Sequence, residues 1–219
     1  MMRPLNVDGT KLCLQLILAS VVCAVTANFF YSVTQIASML ELRRKIAHLL
    51  LGTFFAFLVV SLPHELVVAV NLLLIGGLFV CSLLHQRYNI AFLNWLFERF
   101  DRLEKFTAKG AILFFVGILV AVVLFAPLYA ALSILVLSIS DSLATIVGYY
   151  VGKHRLFKRK TIEGTGAFFI CTLAILIFFV APTKALLVAL VVSATEVITP
   201  PYLDDNLTIP FVTGLLLSL

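Results

Sequence analysis

Charge is the scarcest property of this sequence: Asp, Glu, Lys and Arg together make up 12% of its 219 residues. So little charge cannot clothe a water-facing surface, which places the chain among integral membrane proteins. Cysteine is sparse as well, with four residues. Cys13, Cys23, Cys81 and Cys171 lie in apolar runs without CxxC spacing, which excludes a disulfide framework and a zinc site and leaves them as small packing groups. The phosphate-loop pattern GxxxxGK[ST] is absent. So are low-complexity tracts, and no repeat rises above the general hydropathy.

What is abundant is apolar sequence, 62% by the AVILMFWYC count. The runs are continuous rather than alternating, so helices rather than a barrel are expected, since lipid offers no partner to an unpaired backbone group. Each run approaches the roughly 20 residues a helix needs to cross about 30 Å of hydrocarbon. Spans are predicted at 12–38, 46–62, 65–84, 109–126, 128–150, 166–181, 184–198 and 207–219. The fold class is therefore all-α, a polytopic bundle of seven to eight transmembrane helices forming one membrane domain over 1–219. The N-terminal run is too long for a signal peptide and lacks a small-residue cleavage site, so a membrane anchor is expected there.

Thirteen of the sixteen Lys and Arg residues fall in alternate loops. Arg43, Arg44 and Lys45 precede span two; Arg87, Arg99, Arg102, Lys105 and Lys109 separate spans three and four; Lys153, Arg155, Lys158, Arg159 and Lys160 separate spans five and six. The positive-inside rule makes that side cytoplasmic. The net charge of +5 is thus a topology signal plus attraction to anionic lipid, and no nucleic-acid partner is implied. Within these loops, residues 85–105 interleave Ile90, Leu93, Trp95, Phe97 and Phe100 with charges, as expected for a cytoplasmic amphipathic helix at the membrane surface. A plain connector and a role in admitting lipid both fit that pattern.

Asp141 is the one acid set deep inside an apolar run. Helical spacing aligns Ser138, Asp141, Ser142, Thr145 and Gly148 along one small, polar face, which should point into the bundle. Such a stripe could be structural, but an intramembrane carboxylate is a functional candidate by default. The loop that follows supplies complementary chemistry. Gly148 and Gly152 permit close approach, residues 153–160 bring cations including His154, and KTIEGTG sets Lys160, Thr161, Glu163, Gly164 and Thr165 at the start of span six. Free amides at a helix N-terminus beside a lysine make a phosphate cradle. A third cluster, EVITPPYLDDNLTIP, carries Glu196, Asp204, Asp205 and Asn206 on the same side, with Pro200 and Pro201 ending the helix. Oxygen ligands of this kind suit magnesium. Asp141, Glu163, Glu196, Asp204 and Asp205 are expected to share one cytoplasmic cavity.

The segments ELRRKIAHLLLG, KGAILFFVG, SDSLATIVGYYVGK, KRKTIEGTGAFF and EVITPPYLDDNLTIP together resemble the CTP-dependent lipid-alcohol kinases, which include dolichol kinase, phytol and farnesol kinases and the yeast-type diacylglycerol kinase. They occur in the family's order and cover most of residues 41–214. Thr161, directly after Lys160, and Thr165 occupy positions where that family often has serine, a mild departure. The resemblance implies magnesium-dependent transfer of a phosphoryl group from CTP to a membrane-dissolved alcohol at the cytoplasmic face. It implies catalytic roles for Asp141, Glu163, Asp204 and Asp205, and metal ligation by Asp141, Glu163, Glu196 and Asp204. It implies nucleotide contacts from Lys153, Lys160, Thr161, Gly164, Thr165 and Asn206, and from Arg44 and His48 of an RKxxH element. A CDP-lipid-forming cytidylyltransferase shares the Asp, glycine and basic-loop element, but its later PGHGG and DRxD signature is replaced here by PPYLDDN. A small-solute carrier, the third alternative, would carry broken helices in both halves.

Overall fold

The computed structural model describes residues 40–101, 106–157, 160–199 and 203–219. The predicted span 12–38 lies outside the described residues, as do Arg102, Lys105, Lys158, Arg159, Pro200 and Pro201. Residues Met39–Leu219 form one compact unit. It is built from helices α1 (Leu40–Ser61), α2 (His64–Arg87), α3 (Ala91–Phe100), α4 (Lys109–Leu124) and α5 (Pro127–Tyr150), then a hairpin, β1 (Arg155–Phe157) and β2 (Lys160–Thr161). Helices α6 (Ile162–Leu176), α7 (Pro182–Ile198) and α8 (Asp205–Ser218) complete it.

Seven of the predicted spans therefore coincide with helices. Helix α1 begins earlier than predicted, at Leu40, and α6 is displaced toward the N-terminus, starting at Ile162 because Thr161 caps it there. Among the described residues, three helices are long and apolar enough to cross a membrane: Glu41–Ser61, His64–Arg87 and Pro127–Tyr150. Proline punctuates the turns between them. Pro63 stands at the N-cap of α2, and Pro127 and Pro182 occupy the first turns of α5 and α7, where a missing N–H costs nothing.

The core lies among α4, α5, α6, α7 and α8, where Phe114, Ile118, Leu137, Phe168, Val188 and Ile209 are fully enclosed. Helix α5 is central and α2 peripheral: the most apolar window of α5 is 67% buried, that of α2 only 17%. Leu72, Leu73, Phe79 and Val80 of α2 accordingly face outward, an arrangement that lipid solvates at no cost. Helices α4 and α8 approach closely through Gly117. Pro210 inside α8 cannot donate to the carbonyl of Asn206, four residues earlier, and that carbonyl packs against Gly117, where a Cβ would fall 1.9 Å from it.

The amphipathic segment forms α3, shorter than the texture of residues 85–105 suggested. Leu93 and Phe97 are buried against Ala108, Cys81 and Ile112. Phe92 and Trp95 stack on the outer side, with Arg99 over the indole at 5.1 Å. The basic loop between α5 and α6 contains the antiparallel pair β1–β2, pairing Arg155 with Thr161 and Phe157 with Lys160. That hairpin was not expected, because Arg155, Leu156, Phe157, Lys160 and Thr161 show no two-residue apolar alternation.

Candidate functional site

Helix α5 changes character immediately before Asp141. Residues Val136–Ser140 form a π-helical turn, an insertion that interrupts the regular ladder and is frequent at functional positions. Ser138, Ser140, Asp141 and Ser142 are all buried, so the polar face read from the sequence does point inward. Thr172 of α6 donates to Ser140 Oγ at 3.0 Å, and Thr145 Oγ1 donates to the Asp141 carbonyl at 2.9 Å.

The Asp141 carboxylate contacts Lys45 Nζ, with both side chains buried. Next to it, Ser142 Oγ donates to the Lys45 carbonyl at 3.0 Å. Two consecutive residues of α5 thus hold one residue of α1 by both its side chain and its backbone. Lys45 was legible only as part of the basic RKxxH element, in which Arg44 and His48 were favoured. Arg44 instead bonds Glu41 Oε1 at 2.6 Å within α1, and His48 packs its ring 4.3 Å from that of Phe114. Arg44 Nε and His48 Nδ1 are buried without a hydrogen-bond partner.

A second ion cluster adjoins the first. Lys160 Nζ contacts Glu196 Oε1 and lies 3.0 Å from Asp205 Oδ2. Thr165 Oγ1 donates to Glu196 Oε2 at 3.5 Å. Glu196 sits near the end of α7 with its side chain 2% exposed, and Asp205 opens α8. Asp141 and Lys160 interact electrostatically, as do Lys45 and Asp205, so the two clusters form one charge system drawn from α1, α5, β2, α7 and α8. Burial works against the charge on Lys160, but the carboxylates of Asp141, Asp205 and Glu196 prevail and raise its pKa above the ordinary lysine value.

Three of the five expected carboxylates are thus brought together and two are not. Glu163 faces the hairpin: its carboxylate lies 2.7 Å from His154 Nδ1 and accepts the His154 N–H at 3.3 Å. Residues 163 and 165 are two apart on α6, about 200° around a helix of 3.6 residues per turn. With Thr165 turned to Glu196, Glu163 is turned away. The His154 contact, the largest influence, lowers the Glu163 pKa to about 2. Asp204 is the N-cap of α8 and its Oδ1 accepts from the Asn206 N–H at 2.9 Å, which engages the side chain in ending the loop. Asn206 itself is buried, reaching the Gly110 carbonyl at 3.4 Å.

The glycines act in packing. Thr161 caps α6 by accepting the Gly164 N–H at 3.1 Å, so that amide is already engaged by the protein. A Cβ on Gly152 would fall 2.2 Å from the Gly148 carbonyl and 2.8 Å from Thr161 Oγ1; one on Gly164 would fall 2.8 Å from the Ala144 carbonyl. These positions let α5 and α6 close on the Thr161 side chain and seat β2 with its Lys160. Lys153 is exposed on the hairpin approach, outside the cluster. Among the described residues no group of three or more His, Cys, Asp or Glu is arranged to hold a metal ion. Two carboxylates, Glu196 and Asp205, do converge on one cation position, which the Lys160 ammonium fills.

Over 186 residues the chain is 34% identical to the "Uncharacterized protein MJ1137" of Methanocaldococcus jannaschii, an alignment taking in 82% of this chain and 94% of the relative. No family model and no solved structure matches the chain.

Proposed function

The chain belongs to the same family as the Methanocaldococcus jannaschii protein MJ1137, and for it we propose phosphoryl transfer from CTP to the hydroxyl of a membrane lipid alcohol: a polyprenol or dolichol, a phytol-like alcohol, or diacylglycerol. One observation carries the reading. Lys45, Asp141, Lys160, Glu196 and Asp205 converge from five elements at one end of the bundle, and each lies within a segment that resembles the lipid-alcohol kinases.

Phosphoryl transfer asks a protein mainly to position its reactants and neutralise charge on the phosphoryl oxygens. Lys160 is a protonated, partly exposed cation at the mouth of the cluster and meets the terminal phosphates. Asp141, fixed by Lys45 and by the π turn, orients the alcohol. The alcohol oxygen bonds to the terminal phosphorus, the bond from that phosphorus to the bridging oxygen breaks, CDP leaves with the electron pair, and a carboxylate takes the hydroxyl proton. The Lys160 ammonium sits between Glu196 and Asp205; once it turns to the substrate phosphates, the two carboxylates fit magnesium, which commonly binds one or two carboxylates together with substrate phosphates. Glu196 and Asp205 would hold it, and when bound it supplies neutralisation of the triphosphate charge.

The same reading makes the chain a polytopic protein of seven or eight spans with the cluster at the cytoplasmic face, where the nucleotide is. In that topology Arg43 and Lys45 near the start of α1, Arg87 at the end of α2, Lys109 at the start of α4, and Arg155 and Lys160 between α5 and α6 would share that side by helix alternation, with Lys184 at the start of α7 on the other. The test is the nature of the leaving group. Purified protein in lipid, given CTP, magnesium and a lipid alcohol, is expected to release CDP. Release of pyrophosphate would instead mark a cytidylyltransferase, and no turnover of CTP with any of these alcohols would contradict the proposal.

A further inference from the structure

The hairpin between α5 and α6 exposes the wrong residues for an element that meets only water. Tyr149 and Tyr150 in the last turn of α5, and Leu156 and Phe157 in β1, are between 49% and 58% exposed. Lys153 and Arg155 stand exposed between them. All three residues of β1 are exposed, although successive strand residues point to opposite faces.

The composition of this patch matches one environment. Tyr149 and Tyr150 end a helix long and apolar enough to cross a membrane, which sets the patch at the level where the hydrocarbon gives way to water. Tyrosine is favoured there because its ring is apolar and its hydroxyl polar. Lysine and arginine at that level lay their stems on apolar surface and extend their charge to headgroup phosphates. Val151 and Ile162, the apolar residues that flank the hairpin in the chain, are exposed as well, which extends the apolar surface from the hairpin onto the helix that follows it.

We propose that the β1–β2 hairpin is an anionic-lipid-binding element. Tyr149, Tyr150, Leu156 and Phe157 seat at the boundary of headgroups and acyl chains, and Lys153 and Arg155 engage headgroup phosphates. The consequence reaches the ion cluster, because Phe157 pairs across the ladder with Lys160. Thr161, next to Lys160, is clamped against Gly148, Gly152 and Gly164. Lipid contact at β1 therefore steadies the strand that delivers Lys160 to Glu196 and Asp205. This inference rests on membrane embedding and not on the identity of the reaction.

The experiment places an environment-sensitive NBD label at Leu156→Cys, in a full-length chain whose four native cysteines are replaced, and repeats it at Tyr150→Cys in case the first site disturbs the strand. Each protein is reconstituted in nanodiscs of phosphatidylcholine alone or with phosphatidylglycerol added. The expected result is blue-shifted emission, loss of quenching by aqueous iodide and gain of quenching by brominated acyl chains, all stronger with phosphatidylglycerol. Lys153→Gln with Arg155→Gln should remove the phosphatidylglycerol response. Labels that stay iodide-accessible in both lipids would overturn the proposal. Labels quenched by neither aqueous iodide nor brominated acyl chains would also overturn it, pointing to a second copy of the chain as the occupant. Burial indifferent to phosphatidylglycerol would overturn the anionic-headgroup assignment. None of these readouts depends on CTP turnover, so failure of the kinase reading and failure of this one are separable.

Discussion

Lys45 and Asp141, 96 positions apart in the chain, meet side chain to side chain with both buried, and the residue after Asp141 bonds the Lys45 backbone. Removing one member of such a pair strands the other as an uncompensated buried charge, which costs about 3–5 kcal/mol, whereas replacing both is far milder. Lys45→Met and Asp141→Asn should each lower the unfolding temperature in detergent strongly. The double variant should be less destabilised than the sum of the two. Turnover should be lost in all three, and simple additivity would show that the pair is not a coupled unit.

Lys160 differs in being partly exposed and shared by two carboxylates. Lys160→Ala should reduce turnover by about a hundredfold or more, equivalent to at least about 2.7 kcal/mol of lost transition-state stabilisation at 1.36 kcal/mol per decade. Its unfolding temperature should fall less than that of Lys45→Met. Steady-state kinetics beside thermal unfolding checks this, and wild-type rates from Lys160→Ala would remove the lysine from the mechanism.

Two glycines two positions apart should answer oppositely to alanine. At Gly164 the new Cβ would meet the Ala144 carbonyl at 2.8 Å, while at Gly166 nothing lies within 4 Å. Gly164→Ala should cost about 1–3 kcal/mol, the usual range for overpacking. Gly166→Ala, relieved of glycine's entropy cost inside a helix, should be neutral or stabilising by up to about 1 kcal/mol. Thermal unfolding of the two variants in the same detergent compares them.

The Glu163–His154 contact gives a pH dependence with a defined sign. Glu163 precedes the apolar part of α6, and its folded-state pKa is lowered from an ordinary value of 4.5 to about 2, chiefly by His154. A depressed carboxyl pKa contributes stability that is fully present above the unfolded value and is lost as pH falls through the folded one. The hold of the hairpin on α6 should therefore weaken between about pH 4.5 and about pH 2. Hydrogen exchange of the His154 amide, corrected for its intrinsic rate, should lose protection across that window. Glu163→Gln should flatten the profile, and an unchanged profile would dissociate the carboxylate from the hairpin.

Helices α1, α2, α4, α5 and α7 were legible because hydropathy is a local, additive property, and proline marked where α2, α5 and α7 begin. The inward polar face around Asp141 was legible for the same reason, since helical spacing fixes it without knowledge of neighbours. The partner of Asp141 was not, because Arg44, Lys45 and His48 are equally plausible by type and only the packing of α1 on α5 selects the middle one. The separation of Glu163 from Thr165 and the capping role of Asp204 turn on where a helix starts to within one residue, the least certain feature of any sequence reading. The glycines of the basic loop looked like a phosphate cradle because close approach to a ligand and close approach of two helices call for the same residue.

The most direct test of the proposed reaction follows the phosphorus. With magnesium and a polyprenol, phytol-like alcohol or diacylglycerol, label from gamma-phosphate-labelled CTP should enter the lipid phase, and label from the alpha position should stay in water. Asp141→Asn should abolish the transfer, and Lys160→Ala should cut it by about a hundredfold or more. Alpha label in the lipid, with pyrophosphate released, would contradict the account, as would gamma label that never leaves the aqueous phase.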